Sequence, residues 1–170
     1  MQTTNFFRFL GISLITLFFS FNLNAQTYPN KPITVIVPFS AGSASDVVTR
    51  VLLEKVSSNT NTRFIFDNRP AAGGNVGTAA VVKAEPDGYT IGLSTSGPLA
   101  VNKILNPDLG YDPERDLQPI ALFAILPNII VVSSTLNINN LSQLNDYIRK
   151  TPDVGYGSVG NGSSQHLAGA

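Results

Sequence analysis

Cysteine and tryptophan are absent from this sequence, and His166 is its one histidine. Without cysteine there is no disulfide framework, no thiolate nucleophile and no thiolate metal ligand. A single histidine excludes a multi-histidine metal cluster, and no calcium-loop spacing of acidic residues takes its place. Charge is scarce and balanced: 13% of the 170 residues, 11 basic against 11 acidic. Such a chain carries no basic surplus for binding nucleic acid. Also missing are a P-loop lysine motif, a Gly-x-Ser-x-Gly nucleophile elbow and any internal repeat or low-complexity tract.

What remains is a chain 43% hydrophobic with 14 glycines. That is enough for one ordinary core, and it suits a loop-rich α/β protein better than a long-helix one. Its first segment reads as a leader. Arg8 is the only charge before Lys31, and Phe6 to Phe21 is nearly continuous apolar sequence. Ala25 then supplies the small residue that precedes a signal cleavage site. The alternative is a retained anchor, for which the run is slightly short of the roughly 20 apolar residues a spanning helix needs. Polar Asn22 and Asn24, with no following Lys/Arg cluster, favour cleavage. Residues 1–25 are therefore expected to be a secretory signal peptide, and removing them leaves 10 basic against 11 acidic side chains.

The stretch around which the rest is arranged runs from Val35 to Asp46. A β-branched run stops at Pro38, crosses Phe39-Ser40-Ala41-Gly42, and enters a helix through Ser43-Ala44-Ser45-Asp46. Serine followed three residues later by an acid is a capping box, with Ser43 as N-cap and Asp46 at N3. A strand feeding a helix through small residues leaves backbone N–H groups bare at the positive end of the helix dipole. A carboxylate or phosphate can dock there. The plainer reading is a self-capped turn that binds nothing.

The remaining chain alternates. Ile33–Val37, Arg63–Asp67 and Tyr89–Ser94 read as strands; Asp46–Ser57, Val76–Ala84 and Leu99–Leu105 read as helices. The order β-α-β-α-β-α predicts a parallel, doubly wound sheet with its ligand at the carboxyl ends of the strands. Three small-residue loops fall there, 40–45, 71–75 and 95–97. In the first helix Val47, Val48, Val51, Leu52 and Val56 form an apolar side, with Arg50 turned away from it. Beyond Tyr111 lie two apolar runs, 120–126 and 129–133, split by Pro127-Asn128 where the chain could cross between lobes. Asn140 with Gln143 can cap a helix carrying Leu141, Leu144 and Ile148 inward. Val154–Val159 is a weak strand, and Gly160-Asn161-Gly162-Ser163 leads into a last helix with His166 in its first turn.

Gly155-x-Gly157-x-x-Gly160 spells a dinucleotide fingerprint, but its glycines lie inside the strand and no acid follows at the required distance. His166 reads as a packing, hydrogen-bonding or ligand-contacting residue well ahead of a catalytic base. Asp46 most simply satisfies its helix end. Two anion-ready helix starts remain, at 42–46 and 160–166, and if they face each other they can grip a molecule with a carboxylate at each end.

Several motifs together resemble a known family. They are Tyr28-Pro29-x-Lys31-Pro32-Ile33, Val37-Pro38-Phe39-x-Ala41-Gly42 with Asp46, and Asn68-Arg69-Pro70-x-Ala72-Gly73-Gly74-Asn75-x-Gly77. Pro86-Asp87-Gly88-Tyr89-Thr90, Tyr111-Asp112-Pro113 with Asp116, and Gly160-x-Gly162-Ser163 with His166-Leu167 complete the set. The pattern is similar to that of the Bug family, periplasmic substrate receptors of tripartite tricarboxylate transporters, and it runs from Tyr28 to the end.

The resemblance implies an α/β, bilobal Venus-flytrap fold (type II periplasmic binding protein) with doubly wound sheets. Lobe one would span 26–127 and lobe two would begin at 128. Family members are longer, so lobe two is expected to be incomplete and the chain truncated. The implied protein is a monomer in the periplasm. It would bind a small carboxylate, partner the membrane subunits of a transporter, and lack nucleic acid, cofactor and metal. Carried over by motif, the ligand residues are Phe39, Ser40, Ala41, Gly42, Ser43 and Asp46 on one side. On the other are Gly160, Asn161, Gly162, Ser163 and His166, with Ser96 added from the loop after the third strand. Ser43 stands where the family usually has a second glycine, so the identity of the acid is not transferable. The rival readings are a sensor or adaptor using the same grip, and an enzyme on a similar fold with His166 as base.

Overall fold

The computed structural model describes residues 27–170, and the expected leader lies outside them. The chain divides into a unit Met1–Asn30 and a unit Lys31–Ala170, and the fold described here is that of the second.

Three parallel strands make the sheet: β1 (Ile33–Val37), β2 (Phe64–Asn68) and β3 (Thr90–Gly92), in the order β2-β1-β3. Val35 lies opposite Phe66 on one side and Ile91 on the other. A central strand covered on both faces should be apolar throughout. In β1, Ile33, Val35, Ile36 and Val37 are all buried, and with Tyr111 they make the apolar core. The strands, helices and parallel order expected from the alternating pattern are present, with bounds shifted by a few residues.

Helix α1 (Ala44–Thr60) joins β1 to β2. A 3-10 turn (Ala72–Gly74) and α2 (Asn75–Val82) join β2 to β3. Because parallel crossovers are right-handed, connections that run across the sheet in opposite directions, β1 to β2 and then β2 past β1 to β3, put α1 and α2 on opposite faces. The helix α2 lies tightly on its neighbours. A β-carbon on Gly77 would stand 2.6 Å from Pro38, and one on Gly92 would collide with the side chain of Val81. After β3, a π-type turn (Gly97–Val101) runs into α3 (Asn102–Leu105), and α4 is Pro113–Asp116. A 3-10 turn (Ser134–Leu136), α5 (Leu141–Lys150) and α6 (Ser164–Gly169) follow.

Three expectations fail. In α1 the buried residues are Asp46 and Thr49, whereas Val47 and Val51 are exposed. The inward side is set by the polar network at the helix start rather than by the valines. In α5, Asn140 Oδ1 does accept from Gln143 N (3.0 Å), but Leu141 and Ile148 are exposed. Val154–Val159 forms no strand, and residues 117–133 carry no ladder either. With no neighbouring strand among the described residues, apolar sequence alone does not make a sheet.

Candidate functional site

In a 2-1-3 parallel sheet the loops leaving β1 and β3 diverge, and a crevice opens between them at the carboxyl ends. The segments 38–43 and 93–98 leave the carboxyl ends of the adjacent strands β1 and β3, where such a sheet places its ligand. The loop after β1 is a tight turn: Ser43 N–H donates to the Ser40 carbonyl at 3.1 Å, with Gly42 at φ +79°. That left-handed backbone is what requires glycine here. Ser43 is extended (φ −65°, ψ 157°) and caps α1, its Oγ accepting from Asp46 N at 3.3 Å. Asp46 reaches back, its Oδ2 accepting from Gly42 N–H at 2.8 Å. The serine half of the capping box read from the sequence is therefore present, while Asp46 reaches one residue beyond the N-cap, to Gly42 instead of Ser43 N–H.

Asp46 has further partners within the protein. Oδ2 also accepts from Arg50 Nε (2.9 Å), and Oδ1 from Asn68 Nδ2 (2.9 Å). Arg50 donates a second bond to Asn68 Oδ1 (2.9 Å) and stacks 4.3 Å from the Phe66 ring centre. Asn68 Nδ2 also donates to the Phe39 carbonyl at 3.0 Å. The start of α1, the loop after β1 and the end of β2 are thus pinned to one buried carboxylate. The Arg50 hydrogen bond, aided by those of Asn68 and Gly42 against the opposing effect of burial, holds the Asp46 carboxyl far below the ordinary carboxylate range.

The same turn occurs again at the far end of the chain. Ser163 N–H donates to the Gly160 carbonyl at 3.2 Å, with Gly162 at φ +76°. Ser163 (φ −69°, ψ 158°) caps α6, its Oγ accepting from His166 N at 3.1 Å. His166 takes the place of Asp46: its Nδ1 accepts from Gly162 N–H at 3.3 Å. The Tyr156 ring stacks on this imidazole, 6.4 Å between centres, and the Tyr156 hydroxyl donates to the His166 carbonyl at 2.9 Å.

Glycines bring the two halves together. A β-carbon on Gly74 would stand 3.1 Å from Pro98 and 3.4 Å from the Phe39 ring. One on Gly73 would lie 3.1 Å from the Asn161 carbonyl, and one on Gly160 would lie 2.9 Å from Gly73 N. A β-carbon on Gly97 would stand 3.0 Å from the Gly162 carbonyl, and one on Gly162 would collide with the side chain of the buried Asn102. Asn102 is held by Asn75 Oδ1, which accepts its Nδ2 at 2.6 Å. The buried Tyr111 hydroxyl donates to the Pro98 carbonyl at 3.0 Å.

Of the residues nominated from the sequence, Phe39 and Ser43 are half-buried, and Ser40, Ala41, Gly42 and Ser96 are exposed. Gly162 and Ser163 are buried, Gly160 and His166 half-buried, and Asn161 exposed. The Gly73–Gly74 turn joins the two groups, touching Phe39 on one side and Gly160-Asn161 on the other. Arg50, Asn68, Asn75 and Asn102 were not nominated. Asn68 and Asn75 sit in motifs visible in the sequence, and Arg50 follows Asp46 at the i,i+4 spacing of a helical ion pair, but nothing local marks Asn102, whose partner Asn75 lies 27 residues away. No group of three or more His, Asp or Glu able to hold a metal occurs among the described residues.

A parallel α/β sheet with glycine loops gathered at its strand ends is the architecture of periplasmic solute-binding proteins. The chain superposes on three solved examples. "Structure of a periplasmic transporter" matches with TM-score 0.79 and 35% identity, over 84% of this chain and 48% of that one. R. palustris Rpa4515 with adipate matches with TM-score 0.79 and 32% identity over the same shares. MatC from Rhodopseudomonas palustris with bound malate matches with TM-score 0.67 and 28% identity, over 72% and 42%. Protein BugT of Bordetella pertussis is 34% identical over 169 residues, 98% of this chain and 52% of BugT.

The model of the tripartite tricarboxylate transporter family receptor matches residues 48–169, and the chain belongs to that family. It is a family of transporter receptors, not of enzymes. The chain spans about half the length of the curated relatives it matches.

Proposed function

We propose that the protein is a periplasmic receptor that binds a small organic acid through its carboxylates and delivers it to the membrane subunits of a tripartite tricarboxylate transporter. The observation that carries this reading is the paired turn: one glycine-serine turn at 40–43 and another at 160–163, both flanking the Gly73–Gly74 loop. An α-helix leaves its first N–H groups without intrahelical partners. In α1 the Ser43 hydroxyl takes that of Asp46, and those of Ala44 and Ser45 point to where a carboxylate oxygen can sit. The hydroxyls of Ser40, Ser43 and Ser96 add donors, and Asn161 and Ser163 serve the second turn. In this reading 26–127 is the first lobe and 128 onward begins the second, with leader 1–25 taking the protein to the periplasm.

Adipate and malate, bound to the two similar structures, are both dicarboxylates. Two turns in one crevice suit that class, one carboxylate to each. A thermal-shift screen of the folded protein against adipate, malate, citrate and an aromatic acid tests the reading. A ligand at 100 times its Kd adds about 2.7 kcal/mol of stability. One class of acid should raise the melting temperature, and Gly42→Pro should remove the effect by forcing φ negative and deleting the N–H that Asp46 binds. No shift with any acid would overturn the reading.

A further inference from the structure

We propose that the outer edge of β2 is a self-association surface, where a second copy of this chain pairs its own β2 antiparallel to form one continuous sheet. This goes beyond the ligand reading, does not depend on it, and departs from the monomer that the resemblance implies. Strand β2 pairs with β1 on one side and, among the described residues, with no strand on the other. Ile33 N–H donates to the Arg63 carbonyl at 2.9 Å, and Arg69 N–H to the Val37 carbonyl at 2.8 Å. Alternate residues of a strand turn their peptide groups the same way, so those of 63, 65, 67 and 69 face β1. The N–H and C=O of Phe64 and Phe66 therefore face outward, where another strand can meet them. Edge strands in natural proteins are commonly blunted by lysine, proline or a bulge. Strand β2 has none of these: its sequence is Phe-Ile-Phe-Asp-Asn, and its ladder to β1 runs in unbroken register.

The order of charges and side chains around Ile65 selects a second copy as the occupant. Arg63 and Asp67 stand on either side of it, one cation before and one anion after. Antiparallel pairing about a two-fold axis at Ile65 sets Arg63 opposite the partner's Asp67 and Phe64 opposite the partner's Phe66. Opposite charges and aromatic pairs across strands are stabilising combinations, whereas in-register parallel pairing would set like charges side by side. Each Phe64–Phe66 pair exchanges both of its outward peptide hydrogen bonds, and Ile65 meets its own copy in a close, non-hydrogen-bonded pair. Ile65 is 47% exposed, so that meeting removes a large apolar side chain from water. Arg63 is exposed and has no ion-pair partner among the described residues. Asp67 binds Arg69 through Oδ2, at 2.7 Å, which leaves Oδ1 for the partner's Arg63. On the other face, a cleft of about 410 Å³ between α1 and β2, lined in part by Leu53, Glu54, Phe64 and Phe66, gives room for the partner's rings.

Because the chain has no cysteine, Ile65→Cys places a single thiol on the two-fold axis. Non-hydrogen-bonded antiparallel neighbours have Cα atoms about 4.5 Å apart, within the reach of a disulfide. Mild oxidation of Ile65→Cys should give a disulfide-linked dimer, whereas Val51→Cys, on the exposed side of α1, should stay mostly uncrosslinked. Sedimentation of the wild-type protein should show a monomer–dimer equilibrium that shifts with concentration. Arg63→Asp and Asp67→Arg, each alone, should raise the dimer dissociation constant about ten-fold, a change of about 1.4 kcal/mol spread over two symmetry-related pairs. The double variant Arg63→Asp/Asp67→Arg restores opposite charges across the axis and should return the constant to near the wild-type value. A wild-type protein that stays monomeric up to millimolar concentration would overturn the inference and leave the edge to a different polypeptide. A dimer that survives both single charge reversals, with Ile65→Cys no more readily cross-linked than Val51→Cys, would overturn it too, because the contact would then lie on another surface.

Discussion

At the scale of residues, Asp46 governs the first turn, and its protonation sets an acid limit on stability. Its folded carboxyl titrates well below the roughly 3.9 of an unfolded aspartate. The group therefore contributes fully above that unfolded value, and the contribution is lost as pH falls below it. Urea unfolding between pH 3 and 7 should show the wild type weakening toward acid. Asp46→Asn should be less stable at neutral pH and flatter with pH. Removing the carboxylate altogether, in Asp46→Ala, should cost about 2–3 kcal/mol, because Asn68 and Gly42 lose a charged acceptor. Equal stability of the two proteins at pH 7 would contradict this role. Ser43 and Asp46 were legible as a capping box because both lie within four residues. The matching device at Ser163 and His166 was legible only as a loop entering a helix, since imidazole at N3 is outside the usual box. Arg50 lies apart from the apolar positions, four residues after Asp46, where a helical ion pair is readable; its second partner Asn68 is 18 residues away and becomes visible only when β2 lies beside β1.

At the scale of elements, the tightest fit is α2 against the loop after β1. Gly77→Ala would drive a methyl into Pro38, whose atoms would stand 2.6 Å away, and backbone rather than a flexible side-chain end would have to move. The expected cost is about 1–3 kcal/mol, the usual range for overpacking. A lowered urea midpoint at unchanged m-value would register it, and an unchanged midpoint would contradict the tight fit. The strand–helix alternation was readable because apolar runs of five, broken by small-residue loops, leave few other assignments. The faces of α1 and α5 were not. Periodicity marks the apolar side of a helix, but which side turns inward depends on what is there to cover it. Near Asp46 a polar network decides the matter, and around α5 the described residues offer no apolar cover for Leu141 and Ile148. Val154–Val159 fails as a strand for a similar reason: its pairing partner would have to come from elsewhere in the chain, and none lies beside it among the described residues.

At the scale of the whole molecule, the candidate site is assembled from segments far apart in sequence, with glycines where 73 meets 160 and where 97 meets 162. Gly162→Ala should disturb it twice, by putting a β-carbon into the side chain of Asn102 and by straining a backbone at φ +76°. It should weaken acid binding far more than it lowers the melting temperature, because α6 is short and mostly exposed. Motif order alone carried the family and the fold class. It could not supply the contacts that join Gly73 to Gly160 and Gly97 to Gly162, which are statements about distance and not about spacing. The most direct test of the paired-turn grip is a calorimetric titration of the protein with adipate and, separately, with its diamide, which has the same length and no charge. Two turns that present N–H and hydroxyl donors to carboxylate oxygens predict binding of adipate and none detectable for the diamide. Equal affinity for the two, or no binding of adipate, malate or citrate by the folded protein, would contradict it.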